Sequence, residues 1–217
     1  MPDEEHARVV FSKIPRIYDR MNTLMSMGMD IFWRLELLSL SPKDGLILDV
    51  GTGTGKLESL DSSQRSFVGL DVTREMIELN RNRGMTVLAS ATSLPFKEGS
   101  FSGVISAFVL RNLPSTEKYF SEAFLVLKKG GVMANLDAFP ERRPLVSEFF
   151  SLYFYRFIPR IMGVTRYAES YEYLAQSVRD FKTPEKVAEE MSRAGFSDVK
   201  VRKFISPSAA IVYGRKE

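Results

Sequence analysis

The stretch Leu46-Ile47-Leu48-Asp49-Val50-Gly51-Thr52-Gly53-Thr54-Gly55 constrains this chain more than any other: an apolar run ends in an acid and then breaks into alternate glycines. Short apolar runs of this kind read as strands buried on both faces of a parallel sheet. Glycine permits positive φ at the turn and lets a ligand approach the backbone closely. A second apolar run, Phe67-Val68-Gly69-Leu70, ends in Asp71, about twenty residues beyond Gly51. In an α/β protein this pattern puts a tight turn and a carboxylate on the carboxyl edge of the sheet, where adenosine-containing cofactors bind.

The spacing of the glycines chooses between two cofactor classes. A dinucleotide fingerprint is G-x-G-x-x-G, its third glycine lying where helix and strand pack beneath a pyrophosphate. Here the pattern is G-x-G-x-G, and Lys56 stands at the position of that third glycine. S-adenosylmethionine has no pyrophosphate and needs room for a ribose and a zwitterionic methionine end. The loop therefore favours S-adenosylmethionine over a nicotinamide or flavin dinucleotide. Asp71 suits a ribose diol, whose vicinal hydroxyls can both donate to it. Gly51, Gly53 and Gly55 form the cradle, and Asp49 orients the loop. The stretch is not a phosphate-binding P-loop, because no Gly-Lys-Ser/Thr follows at the required spacing.

The alternation continues along the chain. Strands are expected at Leu46–Val50, Ser66–Leu70, Met85–Leu88, Gly103–Phe108 and Val132–Leu136. A helix is expected from Lys56, another from Thr73 as N-cap to Arg83 with Gly84 as its stop, and a third from Ser115 as N-cap to Lys128, stopped by Gly130-Gly131. Helices follow near Tyr171–Val178 and over Pro184–Arg193, capped by Thr183. Two final strands, Val199–Phe204 and Ala209–Tyr213, flank Ser206-Pro207 as an antiparallel hairpin. This is a doubly wound, mostly parallel seven-stranded α/β sheet, one domain over 1–217; by analogy, its closing hairpin resembles the Rossmann-like fold of S-adenosylmethionine-dependent methyltransferases. Residues 1–40 form N-terminal helices, 46–138 the cofactor-binding core, 141–180 a helical insertion on the substrate side, and 183–217 the closing helix and hairpin. Met21, Met25, Met27 and Met29 with Leu24 read equally as helix packing and as a mobile lid over an apolar substrate. The aromatic run Phe149–Phe157 reads as core or as the wall of a tunnel for a long apolar group.

Composition removes other classes. The chain has no cysteine, so disulfides and thiolate metal sites are excluded, and its one histidine, His6, cannot form a histidine metal cluster. The formal charge is +3 and the basic residues are dispersed, which argues against a nucleic-acid partner. No apolar leader or bilayer-spanning run is visible, so the expected location is the cytoplasm.

The chain resembles the ubiquinone/menaquinone biosynthesis C-methyltransferase family nearly end to end. The resemblance rests on Val10-Phe11-Ser12, Tyr18-Asp19-Arg20-Met21-Asn22, Leu24-Met25-Ser26, Gly28 and Trp33-Arg34 at the start. In the middle it rests on Leu94-Pro95-Phe96, Ser100-Phe101, Leu110-Arg111-Asn112 and Val126-Leu127-Lys128. Later it rests on Glu169-Ser170-Tyr171, Tyr173-Leu174, Ser177-Val178 and Ala194-Gly195-Phe196. It implies methyl transfer from S-adenosylmethionine to a ring carbon of a prenylated benzoquinol or naphthoquinol. It places cofactor contacts on Thr54, Asp71, Ser90, Ala91 and Ala107. Peripheral membrane contact, through the prenyl tail, and a homodimer are compatible with it. The chain departs from the family at Lys56 and Ser102, where an acid is usual, and at Ser90-Ala91-Thr92, where the family has Asp or Asn followed by Ala-Glu. A carboxylate near the adenine is thereby missing, and Ser90 replaces it as a weaker acceptor of the adenine amino group.

Arg111 and Asn112 follow the fourth strand at the ligand edge. Arginine is a poor base, but it can stabilise a phenolate or polarise a water that carries the proton away, and Asn112 can orient that water or the second quinol oxygen. From the residues alone, capping of a strand end with a salt bridge to a neighbour is the preferred reading; with the resemblance, the catalytic role is preferred. The Tyr18 hydroxyl either meets the substrate or its ring packs, and Tyr171 is similar. His6 lies in a polar terminus and is set aside. Two alternatives stand beside the leading one: methylation of another small molecule, and a non-catalytic subunit that binds S-adenosylmethionine.

Overall fold

The computed structural model describes residues 4–81, 85–140, 168–204 and 209–217, and within helix 168–180 it leaves the side chains of Ala168 and Tyr171 outside the description. The aromatic run Phe149–Phe157, Gly84, Ser206-Pro207 and the Tyr171 side chain therefore lie outside the described residues.

Seven strands form one sheet in the order β3-β2-β1-β4-β5-β7-β6. They are β1 (Leu46–Val50), β2 (Ser66–Asp71), β3 (Thr86–Leu88), β4 (Phe101–Ala107), β5 (Leu127–Ala138), β6 (Ser197–Lys203) and β7 (Ala209–Arg215). The pairs β1–β2, β2–β3, β1–β4 and β4–β5 are parallel. β7 runs antiparallel to both β5 and β6, as a closing hairpin must. The described helices are α1 (Glu4–Lys13), α2 (Tyr18–Met25), α3 (Asp30–Leu40), α4 (Arg74–Glu78), α5 (Thr116–Val126), α6 (Ala168–Asp180) and α7 (Pro184–Arg193). The chain winds outward from β1 in both directions, so the switch point of the sheet lies between β1 and β4.

Alternate side chains of the inner strands feed two cores. Leu48, Val50 and Val104 join Leu70, Met133, Tyr119, Phe120, Val187 and Met191 on the face covered by α5 and α7. Ile47 and Ile105 join Ala134, Leu136 and Ile211 beneath Trp33, Leu37 and Leu38 of α3. A third, smaller cluster packs Ile14, Met21 and Met25 against Leu174 and Ala175, so α1 and α2 rest on α6. Of the methionine group, Met21 and Met25 are core, whereas Met27 and Met29 are exposed with Leu24. The packing reading is met at Met21 and Met25.

Three local expectations are corrected. After Gly55 there is no α-helix but turns and a short 3-10 stretch, Glu58–Leu60. The positive φ of Gly53 and Gly55 starts the segment outside the helical region, and Ser59, Asp61, Ser62 and Ser63 compete for backbone groups. The Thr73 side chain does not cap α4, because the residue turns to Asp71, to which its N–H donates at 2.8 Å. α5 ends at Val126, and Gly130-Gly131 lie inside the long β5, at an irregularity in its pairing with β4 between Phe101 and Gly103. The capping of the other helices follows the sequence: Ser115 accepts from the Lys118 N–H at 3.1 Å and Thr183 from the Lys186 N–H at 3.4 Å.

Candidate active site

Apolar side chains hold β1, β2 and β4 in register, and this brings Val50, Leu70 and Ala107 to one edge. The loops that leave those strands enclose a cavity of about 630 Å³, part of it open to solvent. It lies at the switch point, where doubly wound sheets bind ligands. Gly51, Gly53, Asp71, Val72, Thr73 and Met76 wall one side. Ala89 and Ala91 continue the wall past β3, Ala107 to Val109 with Asn112 and Leu113 close the other side, and Glu4, Ala7, Phe11 and Tyr18 roof it.

The geometry favours glycine at two positions. A Cβ on Gly51, which has φ +68°, would stand 2.3 Å from the Val109 side chain. Gly53 is favoured by its backbone conformation, φ +54°, since a Cβ there would meet only the Gly51 carbonyl oxygen at 3.9 Å, and its N–H donates to Asp71 Oδ2 at 2.9 Å. Asp71 Oδ1 takes the Thr73 N–H, so the carboxylate bridges the glycine loop and the start of α4. Burial raises its pKa, and those two backbone donors work against the rise. Asn80 braces the loop from behind by donating to Thr52 Oγ1 at 3.2 Å and to the Gly53 carbonyl at 3.0 Å.

The remaining expected cofactor residues lie behind this wall. Asp49 is buried, its Oδ2 without a hydrogen-bond partner among the described residues. Burial, reinforced by the Glu58 carboxylate, pushes its pKa well above the usual carboxylate range. Thr54 Oγ1 donates to Asp19 of α2, at 3.0 Å to Oδ2. Gly55 abuts Asn80. Lys56 ties the glycine loop to α2 and α3, since its Nζ donates to Thr23 Oγ1 at 3.1 Å and pairs with the buried Asp30. Ser90 donates its proton to Glu4 at 2.9 Å.

On the far side, Phe108 sits in the left-handed region at φ +67°. Such a conformation costs a non-glycine residue about 1–3 kcal/mol, which its packing offsets: the ring packs against Trp33, with Arg34 and Arg111 over it at 5.2 and 5.7 Å. The strained turn aims the Phe108 carbonyl at Asn112 Nδ2, which donates to it at 3.2 Å. Asn112 Oδ1 accepts from the Tyr173 hydroxyl at 3.2 Å. Arg111 does not line the cavity. It is buried, pairs with Asp137 at the end of β5, and donates from Nε to Ser177 Oγ at 3.2 Å. Burial alone would lower its pKa, but the Asp137 carboxylate and the nearby Tyr18 and Tyr173 hydroxyls outweigh it, so Arg111 stays charged. Tyr18, its ring edge-on to Phe11, has its pKa raised by burial, against the pull of Arg111, and so keeps its proton.

Sequence reasoning missed the α1 face, Glu4, Ala7 and Phe11, whose helical spacing gave the signal. It also missed Asp137, an acid at the carboxyl end of a third strand, as Asp49 and Asp71 are of theirs. His6 is held, not loose: its ring lies 5.0 Å from that of Tyr173. Among the described residues no cluster of His, Asp and Glu could hold a metal.

The cavity suits S-adenosylmethionine. Its lining is mostly small or apolar, it has Asp71 for a diol, and its glycines let a ligand approach the backbone closely. This fold and edge define a class I S-adenosylmethionine-dependent methyltransferase. A Thermotoga maritima S-adenosylmethionine-dependent methyltransferase, described as a possible histamine N-methyltransferase, superposes with a TM-score of 0.71 at 20% identity, over 97% of this chain and 99% of that one. The Haemonchus contortus phosphoethanolamine N-methyltransferase 2 in complex with S-adenosyl-L-methionine gives 0.61 at 15% identity, over 85% of this chain and 52% of that one. Within the class, residues 2–216 match the ubiE/COQ5 methyltransferase family, and the chain belongs to it. It is 36% identical to the demethylmenaquinone methyltransferase of Roseiflexus castenholzii, over 99% of this chain and 96% of the relative. It is 34% identical to the Brucella canis ubiquinone/menaquinone biosynthesis C-methyltransferase UbiE, over 95% and 84%.

Proposed function

We propose that this methyltransferase transfers the methyl group to a ring carbon of a prenylated quinol, of the demethylmenaquinol or ubiquinol-precursor kind. What carries the reading is a single juxtaposition. The Asp71–Gly53 edge and the Tyr18–Asn112 pair line the same cavity, in a chain whose relatives bear quinone-methyltransferase names.

When bound, S-adenosylmethionine supplies an electrophilic methyl. The glycine loop and Asp71 hold it, and Ala91 and Ala107 leave room beside it. The side chains around it must then make a ring carbon nucleophilic. Loss of the proton from the neighbouring hydroxyl puts negative charge on that carbon. Tyr18, which keeps its proton, donates to the developing phenolate. Arg111, fixed by Asp137 and Ser177, acts from behind the wall as a permanent positive charge in a poorly solvated setting, where such a charge is most effective. Asn112, locked by Phe108 and Tyr173, orients the second quinol oxygen or the water that removes the proton. Arg111 is thus a positioning and electrostatic residue, and Tyr18 and Asn112 are the contacts.

The exposed apolar side chains Leu24, Met27, Met29, Phe32 and Leu35, around the turn between α2 and α3, support peripheral contact with the bilayer that holds such a substrate's tail. Each buried CH₂ contributes about 0.8 kcal/mol. No described helix is long and apolar enough to cross a membrane. Mass spectrometry of the lipid quinones of cells lacking this protein tests the reading. Accumulation of a quinone lighter by one methyl supports it, and an unchanged pool removes it.

A further inference from the structure

The adenine end of the cavity is built differently from the expectation that Ser90 accepts the adenine amino group. A hydroxyl has one proton and two acceptor sites. The Ser90 proton goes to Glu4 Oε2 at 2.9 Å. Because a carboxylate cannot donate, the 3.0 Å contact between Ser90 and Thr92 must then run from the Thr92 hydroxyl to Ser90. The Thr92 N–H also donates to Ser90 Oγ, at 3.2 Å. Both acceptor sites of Ser90 are therefore taken, and it has none for a ligand.

Two charged side chains line the cavity among the described residues, Asp71 and Glu4. Each oxygen of Asp71 already takes a backbone N–H. Glu4 accepts from Ser90 through Oε2, while Oε1 accepts nothing from the described residues. Glu4, Ala7 and Phe11 lie on one face of α1, and all three line the cavity. The carboxylate sits beyond Ala89 and Ala91, one strand further along the edge than Asp71, on the side where a base follows a ribose.

We propose that Glu4 is a cofactor-specificity residue: its carboxylate, seated on Ser90, accepts the exocyclic amino group of adenine, and the base in turn holds α1 over the cleft. The inference rests on the cavity being the S-adenosylmethionine site. The carboxylate that the sheet edge lacks at Ser90 is supplied by the roof, so recognition of the base and closure of α1 are one event. A donor whose base presents an oxygen at that position meets an acceptor with an acceptor and is rejected.

Calorimetric titration of the full chain with S-adenosylhomocysteine and S-inosylhomocysteine, whose base carries an oxygen in place of the amino group and a proton on N1, tests this. The wild type is expected to prefer the adenosyl ligand by roughly tenfold or more, the worth of a hydrogen bond to a charged group. Glu4→Ala lowers adenosyl affinity by about tenfold without lowering inosyl affinity. Glu4→Gln, which adds a donor, brings the two ligands to within about threefold by improving the inosyl one. Ser90→Asp in the Glu4→Ala background returns a carboxylate to the edge and restores the preference. A wild type that binds both ligands equally, or Glu4 variants that weaken both alike, overturns the proposal and leaves the cofactor site standing. A wild type that binds neither ligand overturns the cofactor reading and the proposal together.

Discussion

Replacing Arg111 by methionine tests the site's buried electrostatics. The guanidinium is buried, paired with Asp137, bonded to Ser177 and stacked over Phe108. Removing one partner of a buried pair costs about 3–5 kcal/mol, because the other charge is left without compensation. Loss of the Ser177 bond adds about 1 kcal/mol. Against this, Asp137 keeps two backbone donors, the Ala138 N–H at 2.7 Å and the Arg111 N–H at 3.3 Å, which hold the cost near 4 kcal/mol. Asp137→Asn strands the guanidinium instead and costs about 3 kcal/mol. In the double variant neither charge remains, and asparagine still accepts from a backbone N–H. Its loss should fall short of the sum of the singles by about 2–3 kcal/mol. Urea titration, read from midpoints at constant slope, measures all three.

The Arg111→Met loss should also depend on pH with a definite sign. Burial already raises the pKa of Asp137 while Arg111 is present. Without the guanidinium it rises further. A carboxyl raised in the folded state gives full stability below its unfolded pKa and loses it as pH climbs through the folded one. The penalty is therefore largest at neutral pH and shrinks toward pH ~4. Losses that add simply and do not change with pH would refute the buried-pair reasoning.

Lys56→Glu, which introduces the acid usual in the family, sets two carboxylates against each other at Asp30; thermal unfolding should show a loss of about 3 kcal/mol or more, and an unchanged midpoint would contradict the tie between the glycine loop and the N-terminal helices. Asp49→Asn removes a carboxylate that burial disfavours. By the same linkage its stability relative to wild type should rise from pH ~4 to neutrality, and a loss at neutral pH would count against it. Met27→Asp combined with Met29→Asp should abolish flotation with liposomes while stability stays within about 0.5 kcal/mol, since both side chains are exposed.

Much of the fold was legible because β1 and β2 are short apolar runs closed by an acid or a glycine turn, and such runs have few other uses. The same cue found Gly51, Gly53 and Asp71 on the cavity edge, and the family resemblance pointed to Ala91, Ala107, Tyr18 and Asn112; all seven line it. Less legible was anything decided by partners distant in sequence. Lys56 reads as a departure from the family until Asp30 is seen beside it, 26 positions away. Ser90 reads as a ligand acceptor until Glu4, 86 positions away, takes its proton. Arg111 reads as a cavity residue because it follows the strand end, yet Asp137 draws it behind the wall. Hydrogen-bond capacity is used up in three dimensions, and spacing along the chain does not record where.

Methyl transfer with purified protein is the most direct test of the central claim. The reaction contains a reduced demethyl-quinone and S-adenosylmethionine carrying a trideuterated methyl. The expected product bears the labelled methyl on a ring carbon, and Tyr18→Phe with Asn112→Ala slows its formation while the donor still binds. A quinol recovered without label, or labelled on oxygen, contradicts the claim.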